Sequence, residues 1–275
     1  RIALNTSRPD SMSSNVSEAN SRSWSENWNS SAVASFFDPV IIDPAAKRDF
    51  LIPGMSSLAY NTAMERKIAR QLLSLNYQFY QSFATDFSET RARLQPGVLT
   101  LLNRLEPGDS ILDLGCGNGT LACYLDEMGF QGSYLGTDFS QALLEEAVRR
   151  YQGSFPAQFM ILDLTQSDWS KSLPDRTFNV VFCFAAFHHI PGKEQRLAIC
   201  KNIHNYLAEK GKLYLSNWQF LKSERLKARI LPWETIDLHE DQVDEGDYLL
   251  DWRRGGFGIR YVHHFSPQEL TRLAK

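Results

Sequence analysis

Beyond residue 109 the chain alternates between two hydrophobic patterns. Short apolar runs at 110–114, 133–137, 157–162, 178–184 and 212–218, bounded by Gly, Pro, Asp, Ser or Lys, predict strands buried on both faces. Between them, 119–128, 140–151 and 193–207 carry apolar residues at helical spacing and predict helices. Thr120 and Ser140 stand where helix N-caps belong, and Gly129, Gly153 and Gly211 stand near helix ends. Strands separated by helices of this length close by right-handed crossovers, which predicts an α/β fold with a doubly wound, mainly parallel sheet and helices on both faces.

The flanks read differently. Leu58, Ile68, Leu72, Leu75, Phe79 and Phe83 recur at spacings that predict one or two amphipathic helices over 57–83, packed over a ligand cleft. Pro96 opens a short helix to Leu105, and Pro107-Gly108-Asp109 is a turn. Residues 1–54 are rich in Ser and Asn and predict a poorly ordered leader, with one apolar cluster from Phe36-Phe37 to Val40-Ile41-Ile42 able to dock; Met55 is a candidate start of the folded part. At the other end, 221–254 has a basic beginning (Lys222, Arg225, Lys227, Arg229) and an acidic middle, and reads as an insertion beside the active site. A sheet of this class is expected to run through two more strands than the 275 residues hold, leaving its last edge uncovered. The expected division is a leader at 1–54, a helical cap at 55–109 and a catalytic domain at 110–275.

Composition narrows the class. A content of 43% hydrophobic residues supports a real core. The formal charge of -3 exerts no general pull toward nucleic acid or acidic membranes, so a polyanion has to meet a local basic patch or a partner. No apolar run is long enough to span a bilayer. The four cysteines, Cys116, Cys123, Cys183 and Cys200, lack zinc-site spacing and read as thiols of a reducing compartment, which points to the cytoplasm and to no metal.

The chemistry concentrates at strand ends. Asp113-Leu114-Gly115-Cys116-Gly117-Asn118-Gly119 follows the first strand, where ligands bind in open α/β sheets, and its glycines let backbone approach a ligand closely. Thr120 occupies the position a dinucleotide fingerprint reserves for a third glycine, and Asp113 would repel a pyrophosphate. An acid there suits a cation, and S-adenosylmethionine carries a sulfonium and an ammonium. Asp138 ends the second strand, placed to accept ribose hydroxyls, and Asp163 follows the third, placed to accept the adenine amino group. Each alone is an ordinary turn acid; three at successive strand ends form a pattern.

These residues resemble the class I S-adenosylmethionine-dependent methyltransferases over about residues 77–270. The resemblance implies a Rossmann-like domain whose loop of Gly115, Cys116, Gly117, Asn118 and Gly119 holds the methionine part of the cofactor. It also implies that Phe139 and Leu164 sandwich the adenine, with Tyr80 and Phe184 as further contacts. Narrower likenesses, Tyr80 to Arg91, Phe187-His188-His189-Ile190 with the Arg196 helix, Trp218, and Arg260-Tyr261-Val262-His263-His264-Phe265 before Glu269-Leu270, are similar to the tRNA wobble-uridine carboxymethyl methyltransferases. The chain departs from that family at Gln95, where members carry Trp, at Val262 in an Arg-Tyr-Tyr-His pattern, and in a C-terminal strand pair.

That family esterifies a carboxymethyl group on a tRNA uridine, and some members rely on a small zinc-binding helper protein. A carboxylate is ionised at neutral pH and needs no strong base, only alignment. Arg260 is the expected carboxylate holder, because a guanidinium fork matches a carboxylate, with Arg91 and His263 assisting. Arg91 can equally cap its helix or bind the cofactor carboxylate. One of His188 and His189 is expected to be structural, Trp218 to be cleft wall or a stacking platform, and Lys222 to Arg229 a solvated face or the one phosphate-binding cluster. Two other readings stay open: a methyltransferase acting on a small metabolite, which the pI near 6.1 favours, and a protein that binds S-adenosylmethionine without turnover.

Overall fold

A computed structural model describes residues 39–42, 64–91 and 93–274. Most of the leader, and Met55, lie outside the described residues. The central sheet contains β1 (Pro39–Ile42), β2 (Ser110–Leu114), β3 (Ser133–Asp138), β4 (Ala157–Ile161), β5 (Phe178–Phe184) and β6 (Leu207–Ser216), ordered β1-β6-β5-β2-β3-β4. Strands β2 to β6 are mutually parallel, and β1 joins the β6 edge antiparallel, Pro39 opposite Ser216 and Ile42 opposite Leu213. The edge expected to lie open is therefore covered along β6 by a segment from the region read as leader.

The expected elements recur almost residue for residue. Ile111, Leu112 and Leu114 are fully buried, as a strand covered on both faces requires. The connecting helices are α3 (Pro96–Leu102), α4 (Thr120–Glu127), α5 (Gln141–Arg150) and α6 (Lys193–Asn205), preceded by α1 (Arg66–Ser82) and α2 (Ala84–Glu89). Ser140 caps α5 by accepting from the Leu143 amide. Thr120 is not a cap: Gly119, at φ 71°, takes that position and frees the Thr120 hydroxyl, whose single proton lies within reach of both Asn118 Oδ1 at 2.7 Å and the Arg91 carbonyl at 2.8 Å. Strand β6 begins before the expected 212, with Glu209, Lys210 and Gly211 hiding its start.

Past Trp218 the chain builds a second, antiparallel sheet, β7 (Ile230–Leu231), β8 (Asp247–Trp252) and β9 (Gly258–His263), with the short α7 (Glu224–Lys227) before it and α8 (Pro267–Leu273) after it. Alternation along β9 assigns its side chains to two sides. Ile259 and Tyr261 pack with Leu72 and Leu249 under α1, whereas Arg260 and Val262 face the Trp252, Trp218 and Phe220 side. Each fully buried Leu or aromatic here contributes on the order of 1.5–3 kcal/mol, which fastens α1 to the small sheet and both to the main one.

Strand order places the functional face. Successive strands run outward from β2 through β3 to β4, then return to the other side of β2 as β5 and β6. The crevice at the carboxyl ends of β2 and β5 is the point where ligands bind in such sheets.

Candidate active site

Two loops meet in that crevice. The first, 115–119, has Gly115, Gly117 and Gly119 at φ 80°, 55° and 71°, a left-handed run that side chains disfavour. A side chain on Gly115 would collide with Ala186 on the second loop, and one on Gly119 would lie 2.9 Å from the Ala147 Cβ of α5. The second loop leaves β5 through Ala185, which holds φ 53° without being glycine, with its amide donating to the Ser216 carbonyl and hydroxyl. Holding a non-glycine residue there costs about 1 kcal/mol or more; beyond the turn His188 and His189 line the cleft, while Phe187 points into the core against Phe265.

Between them lies a cavity of about 230 Å³. It brings together Tyr80, Arg91, Asp113, Gly115, Cys116, Gly117, Asn118, Asp138, Phe139, Asp163, Leu164 and Phe184 of the expected residues. Gly119, Arg260 and His263 do not line it. Asp138 accepts from the Gly117 amide at 2.9 Å and from the Ser140 amide, which ties the β3 end to the glycine loop. Asp113 accepts from the Tyr134 phenol at 2.6 Å. Burial pushes both acids up, Asp113 to about 7 and Asp138 to about 6, and the Asp138 charge adds to the rise at Asp113. Two buried, mutually repelling carboxylates facing one cavity constitute a site that gains from a cation. Asp163 accepts from the Thr165 amide and hydroxyl and from Gln166, so its carboxylate also shapes its own turn.

The cap closes the other wall. Asn118 donates to the Ser88 carbonyl and hydroxyl, and Arg150 donates to Thr120 Oγ1 at 3.0 Å, so α2, the glycine loop and α5 are cross-linked by side chains. Ser88 and Arg150 carried no signal in the sequence, because a Ser in a helix and an Arg at a helix end are ordinary. Tyr80 donates its hydroxyl to His189 Nε2 at 2.7 Å, while His189 Nδ1 faces the Tyr261 carbonyl at 3.0 Å. Burial holds His189 neutral, its pKa lowered to about 3. His189 is the structural histidine of the pair.

Next to the large cavity is a second, of about 10 Å³, walled by Tyr80, Phe87, Arg91, Ala185, His188, His189, Trp218 and Arg260. Arg260 is 4% exposed, and its guanidinium stands 4.7 Å from the Trp218 ring, 5.3 Å from Phe79 and 5.4 Å from Trp252. Among the described residues no carboxylate pairs with Arg260 or with Arg91, and Arg260 Nε has no hydrogen-bond partner. Burial lowers the Arg260 pKa to about 10, so the group stays charged at neutral pH. The Tyr80 hydroxyl oxygen is a side-chain hydrogen-bond partner of Arg260, but a buried cation without an acid partner lacks the charge compensation such groups ordinarily have. Arg91 lies over the Phe87 ring at 4.7 Å.

His263 is not brought to either cavity. Three residues beyond Arg260, it lies on the opposite side of β9 and sits between Asp247 Oδ1 at 2.6 Å and Glu269 at 2.9 Å. Tyr261 donates to the same Asp247 oxygen, and Arg196 pairs with Glu269 and Asp244. His263 is thus a strut between β8, β9 and α8. In the basic cluster, Lys227 pairs with Glu224, and Arg229 lies 3.9 Å from Asp251. No helix among the described residues is long and apolar enough to cross a membrane.

Residues 111–211 match the family described as Methyltransferase domain. The chain is 27% identical over 162 residues to probable tRNA methyltransferase 9B of Bos taurus, covering 57% of this chain and 32% of that protein. It is 30% identical over 115 residues to phosphoethanolamine N-methyltransferase 1 of Arabidopsis thaliana, covering 42% and 22%. The chain therefore spans about a third or less of the length of these curated relatives. Among solved structures, an S-adenosylmethionine-dependent methyltransferase of Methanosarcina mazei superposes with a TM-score of 0.50 at 25% identity, covering 66% of this chain and 82% of that one.

Proposed function

We propose, from the premise that this chain carries a class I S-adenosylmethionine-dependent methyltransferase domain, that it methylates a carboxylate oxygen, and that the acceptor is the carboxymethyl group of a modified wobble uridine in tRNA. The observation that carries this reading is the buried guanidinium of Arg260, charged and without an acid partner among the described residues, one wall away from the cofactor-type cavity.

The cofactor fits the residues present. Asp113 and Asp138 favour its positive charge, the left-handed glycines leave room for it, and Phe139 and Leu164 flank the cavity where a flat base would lie. When bound, it supplies a sulfonium methyl group, and ester formation then moves no proton, because the acceptor is already an anion. The chain's own work is alignment. Arg260 would grip the carboxylate with its fork, Arg91 would add charge from the α2 side, and the aromatic box of Phe79, Trp218 and Trp252 holds the fork still and excludes water. The two cavities share Tyr80, Phe87, Arg91, Ala185 and His189 in their linings, which supports a reading with acceptor and donor side by side.

The tRNA part of the reading draws on the similarity to tRNA methyltransferase 9B relatives and on the likeness of the Tyr80–Arg91 and Arg260–Phe265 segments. It brings with it tRNA as a partner, the small zinc-binding helper of that family, and a cytoplasmic setting, which the four unbridged cysteines suit. A small carboxylate or phosphate-bearing metabolite is the second reading, favoured by the acidic pI and the phosphoethanolamine methyltransferase relative. The deciding experiment incubates the protein with methyl-labelled cofactor and either bulk tRNA or a metabolite extract, then identifies labelled products by mass spectrometry. A base-labile methyl ester on a 5-carboxymethyluridine supports the first reading; label confined to metabolites removes it.

A further inference from the structure

Besides Arg260 Nε, the small cavity has a second buried nitrogen without a hydrogen-bond partner on its wall. His188 is 3% exposed and lines the cavity, yet its Nδ1 has no hydrogen-bond partner. Its neighbour His189 has both ring nitrogens engaged, by Tyr80 and by the Tyr261 carbonyl. The difference follows from the turn at Ala185, which points the two rings at different surroundings only 4.3 Å apart. Burial, His189 and the guanidinium groups of Arg260 and Arg91 hold His188 neutral, its pKa well below the ordinary value. A neutral imidazole carries one N–H and one bare nitrogen, and no protein group at Nδ1 decides which is which. Such an unmet buried nitrogen, beside a guanidinium with no acid partner, is a place that a water fills at rest and a polar ligand atom can take over.

We propose that His188 is the second substrate contact of this cavity, donating an N–H to a carboxylate oxygen held by Arg260, in the tautomer that the bound carboxylate selects. This deepens the carboxylate reading above and rests on it. It replaces His263, whose side of β9 faces Asp247 and Glu269. The lining then presents donors from Arg91, His188 and Arg260, with the Tyr80 hydroxyl proton already given to His189. A carboxamide of the same shape would turn an NH2 toward one of the two guanidinium groups and lose that contact.

The test uses the full chain labelled with nitrogen-15 in its histidines, titrated with acetate and separately with acetamide. Acetate is expected to move the two His188 ring-nitrogen signals apart, saturably, while the His263 signals stay in place; acetamide is expected to leave both unchanged. Arg260→Met should abolish the acetate response. In methyl transfer to the acceptor, His188→Phe should raise KM roughly tenfold to a hundredfold at unchanged cofactor affinity, as for loss of a hydrogen bond to a charged group, and His188→Asn should recover most of it. A saturable acetate response that depends on Arg260 but leaves His188 unmoved overturns the role of His188 and spares the carboxylate reading. Failure of acetate to bind, with turnover surviving Arg260→Met, overturns both. Should His188→Phe not fold, the titration decides alone.

Discussion

Tyr80 and His189 share a hydrogen bond whose direction is set on the far side of the ring. The Tyr261 carbonyl, 3.0 Å from Nδ1, can only accept, so Nδ1 carries the proton and Nε2 receives the phenol hydrogen at 2.7 Å. The two bonds of one ring thereby fix α1, the β5 loop and β9 against each other, and leave the lone pairs of the phenol oxygen for the Arg260 cation, which works against the burial that raises the Tyr80 pKa.

Tyr80→Phe removes that bond and leaves His189 Nε2 buried and bare. We expect a stability loss of about 1–3 kcal/mol by denaturant unfolding and a fall in kcat/KM of about tenfold or more. Unchanged kcat/KM would place the phenol outside the working site.

Arg260→Ala is expected to abolish methyl transfer while cofactor binding, read by calorimetry, stays within about twofold of the parent. Arg260→Lys should rescue poorly, because an ammonium lacks the fork and the flat face that meets Trp218 at 4.7 Å. Equal losses in cofactor affinity and turnover would move Arg260 from substrate to cofactor.

Asp113 and Asp138, at about 7 and about 6, must be ionised to favour a cation. The affinity for S-adenosylmethionine should therefore rise between about pH 5 and about pH 8, by up to tenfold per pH unit for each proton released. Asp138→Asn should weaken binding and flatten that profile; a profile of the same steepness in the variant would detach Asp138 from the effect.

For the protein without cofactor, folding stability should fall on the alkaline side. Burial tends to lower His263, but its bonds to Asp247 and Glu269 leave its pKa raised above 6.5. Its contribution is complete below 6.5 and is lost as pH rises through the folded value. The raised Asp113 acts in the same sense, with full stability below 3.8 that is lost through about 7. His263→Gln should lower the thermal midpoint at pH 6, consistent with a loss of about 3–5 kcal/mol for breaking a buried pair, and remove part of the slope above it. Midpoints equal to the parent at pH 6 would show the strut to be idle.

The sheet was legible because doubly covered strands read as apolar runs and the helices between them keep their period. The glycine loop and the acids at 113, 138 and 163 were legible for the same reason: strand ends locate them. The second sheet was not, since Asp247, Asp251, Arg260 and His263 are buried charges inside β8 and β9, and a polar stretch reads as a surface insertion. His263 does not join Arg260 because residues three apart in a strand face opposite ways, and only the register with Asp247 reveals it. The left-handed Ala185 gave no sign at all, because any residue type that tolerates the turn by virtue of its neighbours looks ordinary in one sequence.

The β1 strand bears on how the molecule assembles. Among the described strands it comes first along the chain and its partner β6 comes last in the central sheet, so their ladder cannot form until nearly everything between them exists. Contacts that span so much chain form late, since the loop they close must already be ordered. This order predicts a folding sequence in which β2 to β5 organise first and the β1–β6 pairing is a final latch, last to gain protection in pulsed hydrogen exchange and first to lose it.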